Sequence, residues 1–211
     1  PRVYRMYLHV VTVTPKVAVQ CDAVMNKPST KFFSERQSGV LCHPTSLPSG
    51  DLGPDAYHFI DFLKLSGFTL WQILPLNPTD DENSPYTSNS SLALNTKLIS
   101  RFLLKQWGWL PEDASSLSDS MLAMACEHFK KNASTSDKRR YKKFCKEQAH
   151  WLHDYALFKG IKSDENNLPW HKWPKSLRDR APKALQLASK QHAAEIEEII
   201  FSQFAISRQW Q

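Results

Sequence analysis

The sequence predicts an α/β protein: a βαβ unit of the kind that builds a (β/α) barrel, followed by a large α-helical insertion or subdomain. Three observations carry this. The short apolar runs at residues 39–42 and 68–74 flank a single amphipathic segment, and strand, loop, helix, strand at that spacing implies a parallel sheet. A long polar loop, residues 77–91, follows the second run, where a barrel carries its site-forming loops. After Ser100 the texture turns helical for roughly 100 residues, which regular barrel alternation does not produce.

Residues 1–24 read as an extension foreign to the rest. Val10-Val11-Thr12-Val13-Thr14 has strand-like composition but no partner signal, and the apolar stretch, broken by His9, Thr12 and Thr14, is too short for a secretory leader. Met25, opening the polar segment Asn26-Lys27-Pro28-Ser29-Thr30, reads as a natural start. Gly39-Val40-Leu41-Cys42 reads as a buried strand, apolar on both faces, broken by Pro44. Pro54 sits at a first helical position, Ala56, Phe59, Ile60 and Leu63 form one apolar stripe, and Gly67 closes the helix. Pro75 ends the second strand. Three long helices are expected, over residues 111–130, 137–161 and 188–208, with an irregular link at residues 166–174. The organisation expected is therefore residues 1–24 as extension, 25–100 as the first βαβ portion, 101–187 as the helical subdomain, and 188–211 as the start of a return helix.

The charge is concentrated. Of a formal net +6, residues 130–146 hold eight Lys/Arg against one Asp, a local +7 that leaves the remainder near neutral. One basic helix on a neutral protein reads as a solvated helix face, not a nucleic-acid-binding domain. No run of 18 apolar residues exists, so no membrane span is expected. Cys21, Cys42, Cys126 and Cys145 have no metal-ligand or redox spacing and read as idle thiols of a cytoplasmic protein. The sequons at Asn89 and Asn132 carry no weight in that compartment.

Five segments together resemble the 4-α-glucanotransferases (amylomaltases, glycoside hydrolase family 77). Ser38-Gly39-Val40-Leu41-Cys42-His43-Pro44-Thr45-Ser46-Leu47-Pro48, continued by Asp51-Leu52-Gly53, is similar to that family's first strand. Leu70-Trp71-Gln72-Ile73-Leu74-Pro75-Leu76 resembles its second, and Ser84-Pro85-Tyr86 its sugar-contacting loop. Trp173-Pro174 with Leu177 and Arg180, and Phe204 with Arg208-Gln209-Trp210, resemble its helical region. The resemblance implies the N-terminal part of a (β/α)8 TIM barrel with a large α-helical insertion. It also implies transfer of a 1,4-α-glucan segment to glucose or another glucan through a covalent glycosyl-enzyme. There are departures: a shortened loop at Ser49-Gly50, Thr87 where Gln is usual, and Leu94-Asn95-Thr96 where Gly-Asn-Pro is usual.

The candidate substrate-binding residues are Tyr86, Ser84 and His43. Tyr86 reads as either a sugar-stacking aromatic or a loop anchor, and the resemblance favours sugar contact. Ser84 reads as a hydroxyl partner or a turn stabiliser before Pro85. His43 ends a strand at the site-bearing end, and loop orientation is the bland alternative. Asp51 reads as a loop or cap residue, and His153-Asp154, a dipeptide that imitates the family's catalytic one, as a surface pair. No Arg-x-Asp-His segment for a nucleophile occurs. Retaining transfer needs two carboxylates about 5–5.5 Å apart, so the sequence reads as a fragment with no catalytic residue of its own. It implies no metal and no organic cofactor. The expected partners are maltooligosaccharides and other α-1,4-glucans, with no nucleic acid and no membrane. The alternative is a non-catalytic helical protein whose basic face binds nucleic acid; an isolated sugar-binding module is disfavoured, since two strands make no stable sheet.

Overall fold

A computed structural model describes residues 9–12, 36–80, 82–114 and 120–211; Met25 and Cys21 lie outside them. The chain divides into two compact units, residues 1–103 with 206–211, and residues 104–205.

The first unit is α/β. Its strands are β1 (His9–Thr12), β2 (Gly39–Leu41) and β3 (Leu70–Ile73), with helix α1 (Pro54–Leu65) between β2 and β3. The sheet order is β1-β3-β2, with β3 central. β2 and β3 are parallel, Val40 opposite Trp71, as the βαβ spacing predicts. β1 runs antiparallel along the other edge of β3, Val11 opposite Trp71. Of the strand-like stretch read in the sequence, Val10–Thr12 thus pairs with β3, within the segment read as an upstream extension.

Local chemistry explains these elements. Pro54 occupies the first turn of α1, Asp55 follows it, and Gly67 takes φ +77° just beyond the helix end. Ala56 and Leu63 are buried beneath α1 and Phe59 half-buried, its ring set edge-on to Trp71 at 5.3 Å. Trp71, 1% exposed, donates its indole N–H to the Cys42 carbonyl at 2.6 Å, fixing the point where the first loop leaves the sheet. Gly39 is required by crowding, since a Cβ there would lie 2.8 Å from that of Leu70. One expectation is corrected: β2 is not buried on both faces. Gly39 and Leu41 are exposed and Val40 half-buried; among the described residues β2 is an edge strand, paired with β3 alone.

The second unit is helical: α2 (Arg101–Gln106) leads into it, followed by α3 (Met121–Asn132), α4 (Thr135–Glu147), α5 (Leu152–Asp164), α6 (Lys175–Arg178), α7 (Pro182–Gln191) and α8 (Ala193–Trp210), which runs back to the first unit. The expected helix over residues 111–130 is shorter, starting at Met121. The one over 137–161 is two helices. Gln148 and Trp151 form the break, the indole N–H donating to the Gln148 side chain at 2.8 Å, and Trp151 leaves helical geometry at φ −139°. The expected third helix is α7 and α8, which meet at His192.

The core of this unit is aromatic. Trp109, fully buried, stacks on Phe204 at 5.3 Å and meets Phe129 edge-on at 4.8 Å. Tyr141 and Phe144, from the basic helix α4, both contact Phe204. A second cluster joins Ala156, Leu157, Ile161, Trp173, Ala188 and Ile196. Trp173 is anchored by its indole N–H to the Leu168 carbonyl at 3.0 Å.

Candidate functional site

The loops leaving the C-terminal ends of β2 and β3 enclose a cavity of about 510 Å³. The first loop contributes His43, Thr45, Ser46 and Gly50; the second contributes Leu74 to Leu76, Thr79, Asn83, Pro85, Asn95, Lys97 and Leu98.

Each loop is held by its own polar residues. His43 caps the 3-10 turn Pro44–Ser46, its Nδ1 accepting the Thr45 backbone N–H at 3.3 Å and lying 2.8 Å from the Thr45 hydroxyl. Downstream, Asp51 accepts from the Ser49 hydroxyl at 3.0 Å and the Gly53 N–H at 2.7 Å, while Asp55 accepts the Ser49 N–H at 2.8 Å. Gly53 admits no side chain, because a Cβ would lie 2.3 Å from the Ser100 hydroxyl. The second loop is tied at its base: the Asn77 amide donates to the Ala93 carbonyl at 2.9 Å and the Asn95 N–H to the Leu76 carbonyl at 2.7 Å. At its tip Asp80 accepts the backbone N–H groups of Glu82 and Ser84 at 3.1 and 3.2 Å, and Asn83 turns the chain with φ +58°, a conformation asparagine tolerates.

The three candidates from the sequence stand at this end of the sheet in different ways. His43 lines the cavity, but its Nδ1 is engaged by Thr45 and its Nε2 is buried. Burial lowers its pKa and the Pro75 carbonyl opposes this only in part, so the ring is neutral at pH 7. Ser84 and Tyr86 do not line the cavity; Asn83 and Pro85, on either side of Ser84, do. The Ser84 hydroxyl accepts from the Tyr86 N–H and the Thr87 hydroxyl, both at 3.4 Å, and so shapes the turn that presents Tyr86. Tyr86 itself is 68% exposed, which leaves its ring free for a ligand.

Sequence reasoning missed Asp80, Asn83 and Lys97. Asp80 had a local signal, an acidic residue opening a turn. The contact between Lys97 Nζ and Asn83 Oδ1, at 3.0 Å, spans 14 positions and no short-range pattern announces it. Among the described lining residues Lys97 carries the formal charge and there is no carboxylate. Among the described lining residues the cavity offers hydroxyls, carboxamides, an imidazole and an ammonium, groups suited to holding a polar ligand.

The sequence decoys are explained as well. Asp51 is consumed by its own loop. His153 and Asp154 are exposed on α5, Asp154 pairing with Arg180 at 3.0 Å. The cations of α4 are mostly exposed while its aromatics turn into the core, so no stacking platform for bases accompanies the charge.

The family model described as 4-alpha-glucanotransferase, glycoside hydrolase family 77, matches residues 41–211. A curated 4-alpha-glucanotransferase of Synechocystis sp. is 39% identical over 201 residues, covering 85% of this chain and 40% of its own. One from Thermus thermophilus is 37% identical over 192 residues, covering 83% and 38%. Among solved structures, an amylomaltase from Streptococcus agalactiae in complex with acarbose matches with a TM-score of 0.77 at 32% identity, over 83% of this chain and 40% of that one. The chain therefore spans about 40% of the length of these relatives. Nothing in these matches supports nucleic-acid binding.

Proposed function

The chain belongs to the 4-alpha-glucanotransferase family, glycoside hydrolase family 77, and from that premise we propose that it forms one wall of the glucan-binding cleft of such an enzyme. The observation that carries this is the position of the cavity: it lies where two adjacent parallel strands end, built from the loops that follow them. That is where (β/α) barrels hold their substrates. In this reading β2, α1 and β3 are the first βαβ unit of a (β/α)8 barrel, and the helical unit is an insertion in it.

The whole protein then transfers a segment of a 1,4-α-glucan to glucose or another glucan. Its substrates are maltooligosaccharides and related α-1,4-glucans, a proposal that the acarbose-bound amylomaltase supports by resemblance. Tyr86 stacks its exposed ring on the apolar face of a glucose unit, Ser84 sets the turn that presents it, and His43 shapes the floor of the cavity as a neutral ring. Among the described residues no carboxylate lines this wall, and in this reading the nucleophile and the acid–base group of retaining transfer come from the part of the family fold that the chain does not span.

Affinity chromatography of the 211-residue chain tests the binding role. Retardation on immobilised amylose, reversed by free maltotriose, is expected. Retention on heparin that falls steeply with salt, with none on amylose, would replace this reading with the nucleic-acid one.

A further inference from the structure

Lys97 is the odd member of the cavity wall. The other polar side chains described along it, His43, Thr45, Ser46, Thr79, Asn83 and Asn95, are an imidazole, hydroxyls and carboxamides. The Lys97 ammonium and Asn83 are both exposed, and Nζ donates to Asn83 Oδ1 at 3.0 Å. The Lys97 backbone is fixed. The Lys97 N–H donates to Asn95 Oδ1 at 3.1 Å, and the next residues, Leu98 and Ile99, are 1% and 5% exposed. Asn83 stands in a left-handed turn at φ +58°.

We propose that Lys97 is a specificity-determining residue that binds sugar hydroxyls in this cavity; this rests on the sugar-binding role proposed above. An ammonium has three N–H donors. Asn83 takes one, and as a neutral acceptor it leaves the charge uncompensated and the remaining donors available. Anchoring by Asn83 also removes part of the freedom that a lysine otherwise loses on binding. The surrounding chemistry selects the ligand class. A single cation among hydroxyls and carboxamides suits the oxygens of a polyol, such as neighbouring hydroxyls of one glucose unit. A phosphate site would gather several cations or a nest of backbone N–H groups.

The test is calorimetric titration of the 211-residue chain with maltotriose, for wild type, Lys97→Met and Lys97→Arg, with melting temperatures measured alongside. Lys97→Met keeps the apolar stem and removes the donors. It is expected to raise Kd about tenfold, which is 1.4 kcal/mol, at an unchanged melting temperature, with Lys97→Arg restoring most of the affinity. Equal Kd for Lys97→Met and wild type overturns the role of Lys97 while leaving sugar binding in place. No maltotriose binding by wild type overturns both. Displacement of maltotriose from wild type by inorganic phosphate, absent in Lys97→Met, overturns the hydroxyl assignment in favour of an anion site.

Discussion

The Gln209 carboxamide grips the backbone of Ser100 on both sides: its Oε1 accepts the Ser100 N–H at 2.6 Å and its Nε2 donates to the Ser100 carbonyl at 2.9 Å. Both residues are buried. The end of α8 thereby completes the hydrogen bonding of a chain segment 109 positions earlier, just after the second cavity loop. Removing the carboxamide leaves a buried donor and acceptor unpaired, about 1–3 kcal/mol each. Gln209→Ala is therefore expected to lower stability by about 2–6 kcal/mol in urea denaturation, and Gln209→Glu, which sets a buried carboxylate against the Ser100 carbonyl, by no less.

The helical unit should weaken in alkali. Burial pushes the Cys126 thiol up to about 11 and Tyr155 up to about 12, and raises Tyr141 as well. Each folded pKa lies above the unfolded value, so the neutral form stabilises the fold. That contribution is complete below about pH 9 and is lost as pH rises through the folded values. Circular dichroism should show a melting temperature that is flat from pH 7 to 8.5 and falls between pH 9 and 12. At pH 8 iodoacetamide should leave Cys126 unmodified until the protein unfolds.

Tyr86 and the His153-Asp154 pair should separate cleanly in a transfer assay. In the full-length enzyme, Tyr86→Ala removes a stacking surface and is expected to lower glucose release from maltotriose about two- to tenfold, in line with about 0.5–1.5 kcal/mol for a ring contact. The double change His153→Ala/Asp154→Ala removes an exposed ion pair with Arg180. Such pairs contribute at most about 1 kcal/mol, so activity should stay within twofold of wild type.

The 211 residues alone should release no glucose from maltotriose. Among the described residues the cavity wall offers a neutral histidine and a lysine but no carboxylate, so the carboxylate pair that retaining transfer uses is not found there. Turnover by the purified, contaminant-free chain would show that the catalytic groups have been misplaced.

The parts of this fold that are local in sequence were legible. Pro54 at the helix start, Gly67 at its end and the two flanking apolar runs are enough to place β2, α1 and β3. Exposure of β2 was not legible, because an edge strand and a central one share the same apolar composition. The break between α4 and α5 carries no glycine or proline; a side chain to indole hydrogen bond makes it, and the aromatic spacing runs on through it. Pro182, in the first turn of α7, is a local mark of that helix start. In the site, His43 and Tyr86 stood out as residue types at a strand end and on a loop. Lys97 did not, since its meaning depends on Asn83 across the loop.

The central claim is that the loops after β2 and β3 bind an α-1,4-glucan. Backbone amide shifts of the 15N-labelled chain, followed during titration with maltotriose, test it most directly. The account predicts saturable shifts confined to residues 43–50 and 74–98, strongest near Asn83, Tyr86 and Lys97. Saturating maltotriose that leaves those resonances unmoved, or shifts clustered instead on the basic face of α4, would contradict it.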